Sequence, residues 1–79
     1  MYIAEILEEL DYARFKFERP FASAHEGFAI LREEVDELWD AVRRKSDGTD
    51  ATRIRAMRVE AVQVAAMAVR FIEDVCDDT

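Results

Sequence analysis

The sequence predicts an all-α fold: a chain of three helices forming a bundle that homo-oligomerisation completes. Three observations point there. Apolar residues recur at three- and four-residue spacing along most of the chain. With two glycines and one proline in 79 residues, breakers are scarce. The last predicted helix has a middle, "AVQVAAMAV", with no charged face, and such a helix is normally buried on more than one side.

The first helix is predicted from about Tyr2 to Phe17, with Ile3, Ile6, Leu7, Leu10, Ala13 and Phe17 as its apolar stripe. "ERPF" ends it, because Pro20 has no N–H to give a helix interior. The second begins near Ser23. Ser23 and Glu26 have the S-x-x-E spacing of a capping box, in which each side chain satisfies a free backbone N–H. Phe28, Leu31, Val35, Leu38 and Val42 are its predicted core face, with Trp39 half-buried at the edge. Arg43, Arg44 and Lys45 end it, cations suited to the negative pole of a helix. "SDGTD" is the turn, pivoting on Gly48, and Thr49 or Asp50 caps a third helix running from about Ala51 to Val75. A three-helix monomer of this size buries a thin core. A second copy covering the apolar third helix gives a homodimer or homotetramer.

Composition narrows the function. A single domain spanning residues 1–79 is expected from the length. The net charge of −7 argues against nucleic acid as partner, since a phosphate-binding face needs clustered cations. It is compatible with nucleotides, whose charge a bound divalent metal offsets. Ala61 to Val69, the longest uncharged run, is too short to cross a bilayer. The start "MYIAEILEEL" has acids where a secretion signal has bases, and Cys76, the lone cysteine, reads as a half-buried reduced thiol. Together these lead to the expectation of a cytoplasmic protein without a membrane partner.

The chemistry lies in the acids. Glu26, Glu33, Glu37 and Asp40 form an acidic stripe on the second helix, while Glu34 sits on the shoulder of the core face, three residues from Glu37. Glu60 lies inside the apolar stripe of the third helix, among Met57, Val64, Met67 and Phe71, with Gln63 one turn on. An unpaired carboxylate buried there costs several kcal/mol. Two environments relieve it: a guanidinium such as that of Arg14, or a divalent cation held between facing helices. All-oxygen ligands suit Mg²⁺ or Mn²⁺. Arg53, Arg55 and Arg58, with the Arg43–Lys45 cations, flank the connecting turn, where a triphosphate or plain solvent suits them equally. Arg70 is placed to pair with Asp74 or to reach a phosphate. Trp39 is placed to pack or to stack on a base, and His25 to make helix-start contacts or to exchange protons near neutral pH.

"HEGFAILREEVDELWDAV" resembles the first half of the MazG-like, all-α nucleoside triphosphate pyrophosphohydrolases. That family has an E-E-x-x-E motif on one helix and E-x-x-D on a later one. Glu33, Glu34 and Glu37 complete the first motif, Glu60 opens the second, and the resemblance covers roughly Ser23 to Asp74. It implies cleavage of a nucleoside triphosphate between the α and β phosphates, with Mg²⁺ (or Mn²⁺) as cofactor. By motif position, Glu34, Glu37 and Glu60 are the implied metal ligands, joined by Gln63. Glu33 is the implied catalytic acid that orients or deprotonates a water. Arg58, Arg70 and Trp39 are the candidate substrate contacts. Gln63 departs from the pattern, since it stands where the family has its final Asp. An amide carbonyl brings no charge, which weakens the site or changes the number of metals held. Asp74 lies eleven residues further on, about 16 Å along the helix, so it does not substitute. Two other readings remain open at this stage: a non-catalytic helical interaction module, and a nucleotide-binding homologue with impaired catalysis.

Overall fold

A computed structural model describes residues 2–44 and 50–77, and among them every regular element is a helix. The helices are α1 (Tyr2–Lys16), α2 (Ala24–Arg43) and α3 (Asp50–Phe71), and a π-helical turn, Ile72–Cys76, extends α3. The predicted turn around Gly48, and Thr49 as a cap, lie outside the described residues. No described helix is long and apolar enough to cross a membrane.

α3 is the axis on which α1 and α2 both pack. Leu10 and Ala13 of α1, Phe21 of the connector, and Ala66 and Met67 of α3 form the buried core, with Ile6, Ile30, Leu31, Val69, Phe71 and Val75 packed around it. The molecule is drawn out, 48 × 25 × 18 Å, with a radius of gyration of 13.9 Å. A compact domain of this length has about 12 Å.

Ser23 caps α2 with extended backbone (φ −159°, ψ 166°), and its hydroxyl accepts from Glu26 N at 3.1 Å. The reciprocal bond departs from the predicted capping box. Glu26 Oε1 accepts from Ala22 N at 2.7 Å, one residue before the cap, and Oε2 pairs with Arg19 at 3.1 Å. At the other end of α2, Arg53 donates to Val42 O at 2.6 Å and satisfies a terminal carbonyl.

The core faces match expectation in part: Leu31, Leu38 and Val42 of α2 are half-buried, with Leu31 packed on the core. In α2 the buried positions are Gly27 and Ala41, and the expected core residues Phe28 and Val35 are 56% and 46% exposed. Small residues leave room for large neighbours, and at Gly27 two aromatic rings fill that room. A Cβ there would meet Phe71 Cδ2 at 2.7 Å and Phe21 Cδ2 at 3.0 Å. The α2 seam is thereby turned by roughly 70° from the face that large side chains alone suggest. Trp39, expected half-buried, is 58% exposed. In α1, Ile6, Leu10 and Ala13 pack as expected, while Ile3, Leu7 and Phe17 face outward. Along the middle of α3, Ala66 and Met67 are buried and most of their neighbours half-buried, because α1 and α2 of the same chain flank it. Most of the large exposed apolar side chains lie on α1 and α2, with Ile54 and Val59 exposed on α3 and Ile72 just beyond it. Cys76 is an exposed free thiol, not a half-buried one.

Candidate metal centre

The 70° turn of α2 brings Glu34 from the shoulder to the middle of the packed seam, facing α3. Glu37 follows one turn later at the seam's edge, and Glu60 projects from α3. These three offer one oxygen each, all within 4.8 Å of one another. Oε2 of Glu34 and Oε2 of Glu60 are buried and have no hydrogen-bond partner among the described residues. Three acids converge from two helices, and among the described residues no arginine forms an ion pair with them, although the charge of Arg44 acts on Glu60. Like charges therefore face one another at the edge of a low-dielectric seam.

The electrostatics follow. Burial raises the Glu34 pKa from 4.5 to about 7, and the charges of Glu37, Glu60 and Glu9 add to the shift, as does a proton shared with Glu37. Burial also raises Glu60, again helped by Glu37, with Arg44 pulling weakly the other way. An orphaned pair of buried oxygens in an all-carboxylate donor set fits a hard divalent cation, which prefers oxygen ligands and displaces protons from the acids it binds.

Beside this cluster a groove of about 550 Å³ opens between α1 and α2, with Gln63, Met67 and Arg70 of α3 among its lining residues. Glu33 and Glu34 of α2 and Glu9, Tyr12 and Lys16 of α1 line its sides. The volume suits a small organic ligand. Gln63 is half-buried and borders this groove together with Glu34. Glu33 is exposed and borders it too, outside the three-carboxylate cluster.

The remaining sequence candidates are engaged or face away, although Arg70 also borders the groove. Arg14 does not reach Glu60. It spans from α1 to Glu73 at 2.6 Å and Asp74 at 3.2 Å. Arg70, 4% exposed, is committed to Asp74 Oδ2 at 3.3 Å and Arg19 O at 2.8 Å, with its guanidinium 4.1 Å over the Phe21 ring. Asp74 also accepts from Phe21 N at 3.1 Å. Burial opposes its ionisation, but the bonds from Phe21 N, Arg14 and Arg70 outweigh that and hold its carboxyl below the usual range. Arg70 therefore serves a knot that ties the α1–α2 connector to the end of α3. Arg58 is engaged by Glu5, Nε to Oε2 at 3.0 Å, and Arg43 by Asp40 at 2.8 Å. Trp39 lies roughly 140° around α2 from Glu34, on the far side from the carboxylates. His25 is exposed at the start of α2.

Glu9 is the residue the sequence reading passed over. It is half-buried on α1 and borders the groove with Glu34 and Gln63. The signal was present: Glu9 lies three residues after Ile6 and four before Ala13, on the edge of the same packed stripe.

No family model, curated protein or solved structure matches the chain.

Proposed function

We propose that this chain is a Mg²⁺-dependent nucleoside triphosphate pyrophosphohydrolase of the cytoplasm, cutting between the α and β phosphates to give the monophosphate and pyrophosphate. One observation carries the reading. Glu34, Glu37 and Glu60 converge within 4.8 Å while the buried oxygens of Glu34 and Glu60 receive no donor. The MazG-like resemblance of Glu33, Glu34, Glu37 and Glu60 supports it from the sequence side.

In this reading Glu34, Glu37 and Glu60 hold the cation, Mg²⁺ or Mn²⁺, and Gln63 offers its amide oxygen beside them. The bound cation offsets phosphate charge and makes water more acidic. Glu34 gives up its proton when the cation binds, so the site loads best above about pH 7. Glu33, on the groove wall, accepts a proton from the attacking water at its carboxylate and orients that water. The groove walls hold the nucleoside. Since the chemistry needs position and electrostatics, no serine or cysteine nucleophile is required. Arg70 borders the groove while bonded to Asp74 and Arg19 O, Arg58 is engaged by Glu5, and Trp39 faces away from the carboxylates.

A second copy completes the bundle. Phe28, Val35 and Trp39 form one exposed apolar stripe on α2. Arg32 and Asp36 flank it, and neither makes an ion pair among the described residues. Two α2 helices crossing antiparallel about a two-fold axis near residue 34 set each Arg32 against the other's Asp36, so the surface is self-complementary.

The exposed apolar residues also favour the non-catalytic interaction module as a second reading. Incubation with a panel of ribo- and deoxynucleoside triphosphates and Mg²⁺, assayed for pyrophosphate, separates the two. The proposal expects release by the wild type and none by Glu60→Gln. Full activity in Glu60→Gln overturns the assignment of the site. A chain that Mg²⁺ stabilises but that releases no pyrophosphate from any substrate is the nucleotide-binding homologue instead.

A further inference from the structure

The three clustered carboxylates come from α2 and α3 alone, and one of them, Glu34, lines the groove whose other wall is α1. On that wall stands Glu9. It is half-buried and makes no hydrogen bond or ion pair among the described residues. Both it and Gln63 border the main groove and also a smaller cavity of about 230 Å³ lined by residues of α1 and α3. Gln63 is neutral, so the stretch of α3 between Glu60 and Met67 supplies no charge to the main groove. We propose that Glu9 supplies it: across the groove from Glu34 and beside Gln63, its carboxylate closes the cation site, directly or through a water, so that the site draws acids from all three helices. This rests on the reading of Glu34, Glu37 and Glu60 as cation ligands.

The geometry gives the proposal its content. Glu9 is outside the group whose oxygens lie within 4.8 Å of one another, so it is an outer member, reached by a side-chain rotation or a bridging water. Its charge nonetheless acts on Glu34. A cation between the two removes that repulsion and at the same time fastens α1 to the α2–α3 pair. Cation binding then stabilises the docking of α1, not the carboxylate cluster alone.

The test is Mn²⁺ binding to the full chain, read by electron paramagnetic resonance of the free ion. Glu9→Gln is expected to weaken binding about tenfold or more, the range for groups that support metal ligands. Asp11→Asn removes an exposed charge from the same helix and is expected to leave binding unchanged. Because Glu9 stands in for charge that Gln63 does not bring, Gln63→Glu placed in the Glu9→Gln chain is expected to restore affinity. Equal affinity of Glu9→Gln and wild type, or equal loss in Asp11→Asn, overturns the proposal. Should Glu9→Gln fail to fold, the Mg²⁺-induced shifts of the wild-type side-chain carboxyl carbon resonances decide instead. Shifts at Glu9 together with Glu34, Glu37 and Glu60 support it, and shifts at the last three alone overturn it. A wild type that binds no Mn²⁺ refutes the underlying site itself, a separate result.

Discussion

Glu34 on α2 and Glu60 on α3 face each other across the helix seam, each with a buried carboxylate oxygen that no protein donor reaches. Glu37 joins them within 4.8 Å. A seam with this arrangement is under electrostatic load until protons or a cation relieve it, and several consequences are measurable.

The first is the pH dependence of stability without metal. The folded-state pKa of Glu34, about 7, lies above its ordinary value of 4.5, and Glu60 shifts the same way. Over that interval the folded chain binds more protons than the unfolded one, so stability falls as pH rises. The contribution is full below about pH 4.5 and lost on passing pH 7. Asp74, held below its usual value, acts oppositely and only at lower pH, where its protonation loosens the knot with Arg14 and Arg70. Thermal melts in chelator are expected to show Tm declining from pH 5 to pH 8. Mg²⁺ is expected to raise Tm more at pH 8 than at pH 5.5, where it competes with protons. A metal-independent Tm across this range contradicts the site.

Neutralising one acid separates stability from function. Glu34→Gln keeps the shape and removes a repelling charge. In chelator its Tm is expected to equal or exceed that of the wild type, while the Mg²⁺-dependent rise and pyrophosphate release are both lost. A variant that melts lower in chelator yet keeps its Mg²⁺ response would assign Glu34 a purely structural role.

The arginine knot is a second, independent prediction. The side chains of Arg70 and Asp74 are 5% and 6% exposed. Removing one member of a buried pair strands the other, at about 3–5 kcal/mol. Asp74→Ala is expected to lose that much in urea denaturation, with the connector around Phe21 released from the end of α3. Glu73→Ala, at the exposed limb of the same cluster, is expected to cost under about 1 kcal/mol.

Gly27 tests the close approach of α2 to the end of α3. A methyl there meets the Phe71 ring at 2.7 Å, so Phe71 has to move. The gain in helix propensity, about 1 kcal/mol, is set against overpacking of about 1–3 kcal/mol. Gly27→Ala is expected to be destabilising, read by the urea midpoint. A stabilised variant would mean that α2 and Phe71 are not in contact.

Much of the fold was legible in the sequence, because helix starts and stops are local events. Ser23, Pro20 and the spacing of Ile6, Leu10 and Ala13 each act within one or two turns. What the pattern missed was rotation. Reading the seam of α2 from its largest apolar residues selected Phe28 and Val35, whereas the buried positions are Gly27, against which Phe71 and Phe21 pack, and Ala41. Glu34 and Glu60 were picked out because a charge beside an apolar stripe is a conflict visible in one dimension. Glu9 has the same kind of place on α1, but its significance depends on which wall of a groove α1 forms, and no spacing rule encodes that. The engagement of Arg70 and Arg14 with Asp74 has the same character, since it joins residues up to 60 positions apart.

The most direct measurement is anomalous diffraction from crystals of the chain soaked in Mn²⁺. The account predicts one strong peak bounded by the carboxylates of Glu34, Glu37 and Glu60, with the previously unpartnered oxygens turned towards it. Crystals in which those carboxylates are met by an arginine, or point into solvent with the manganese bound elsewhere, would contradict it.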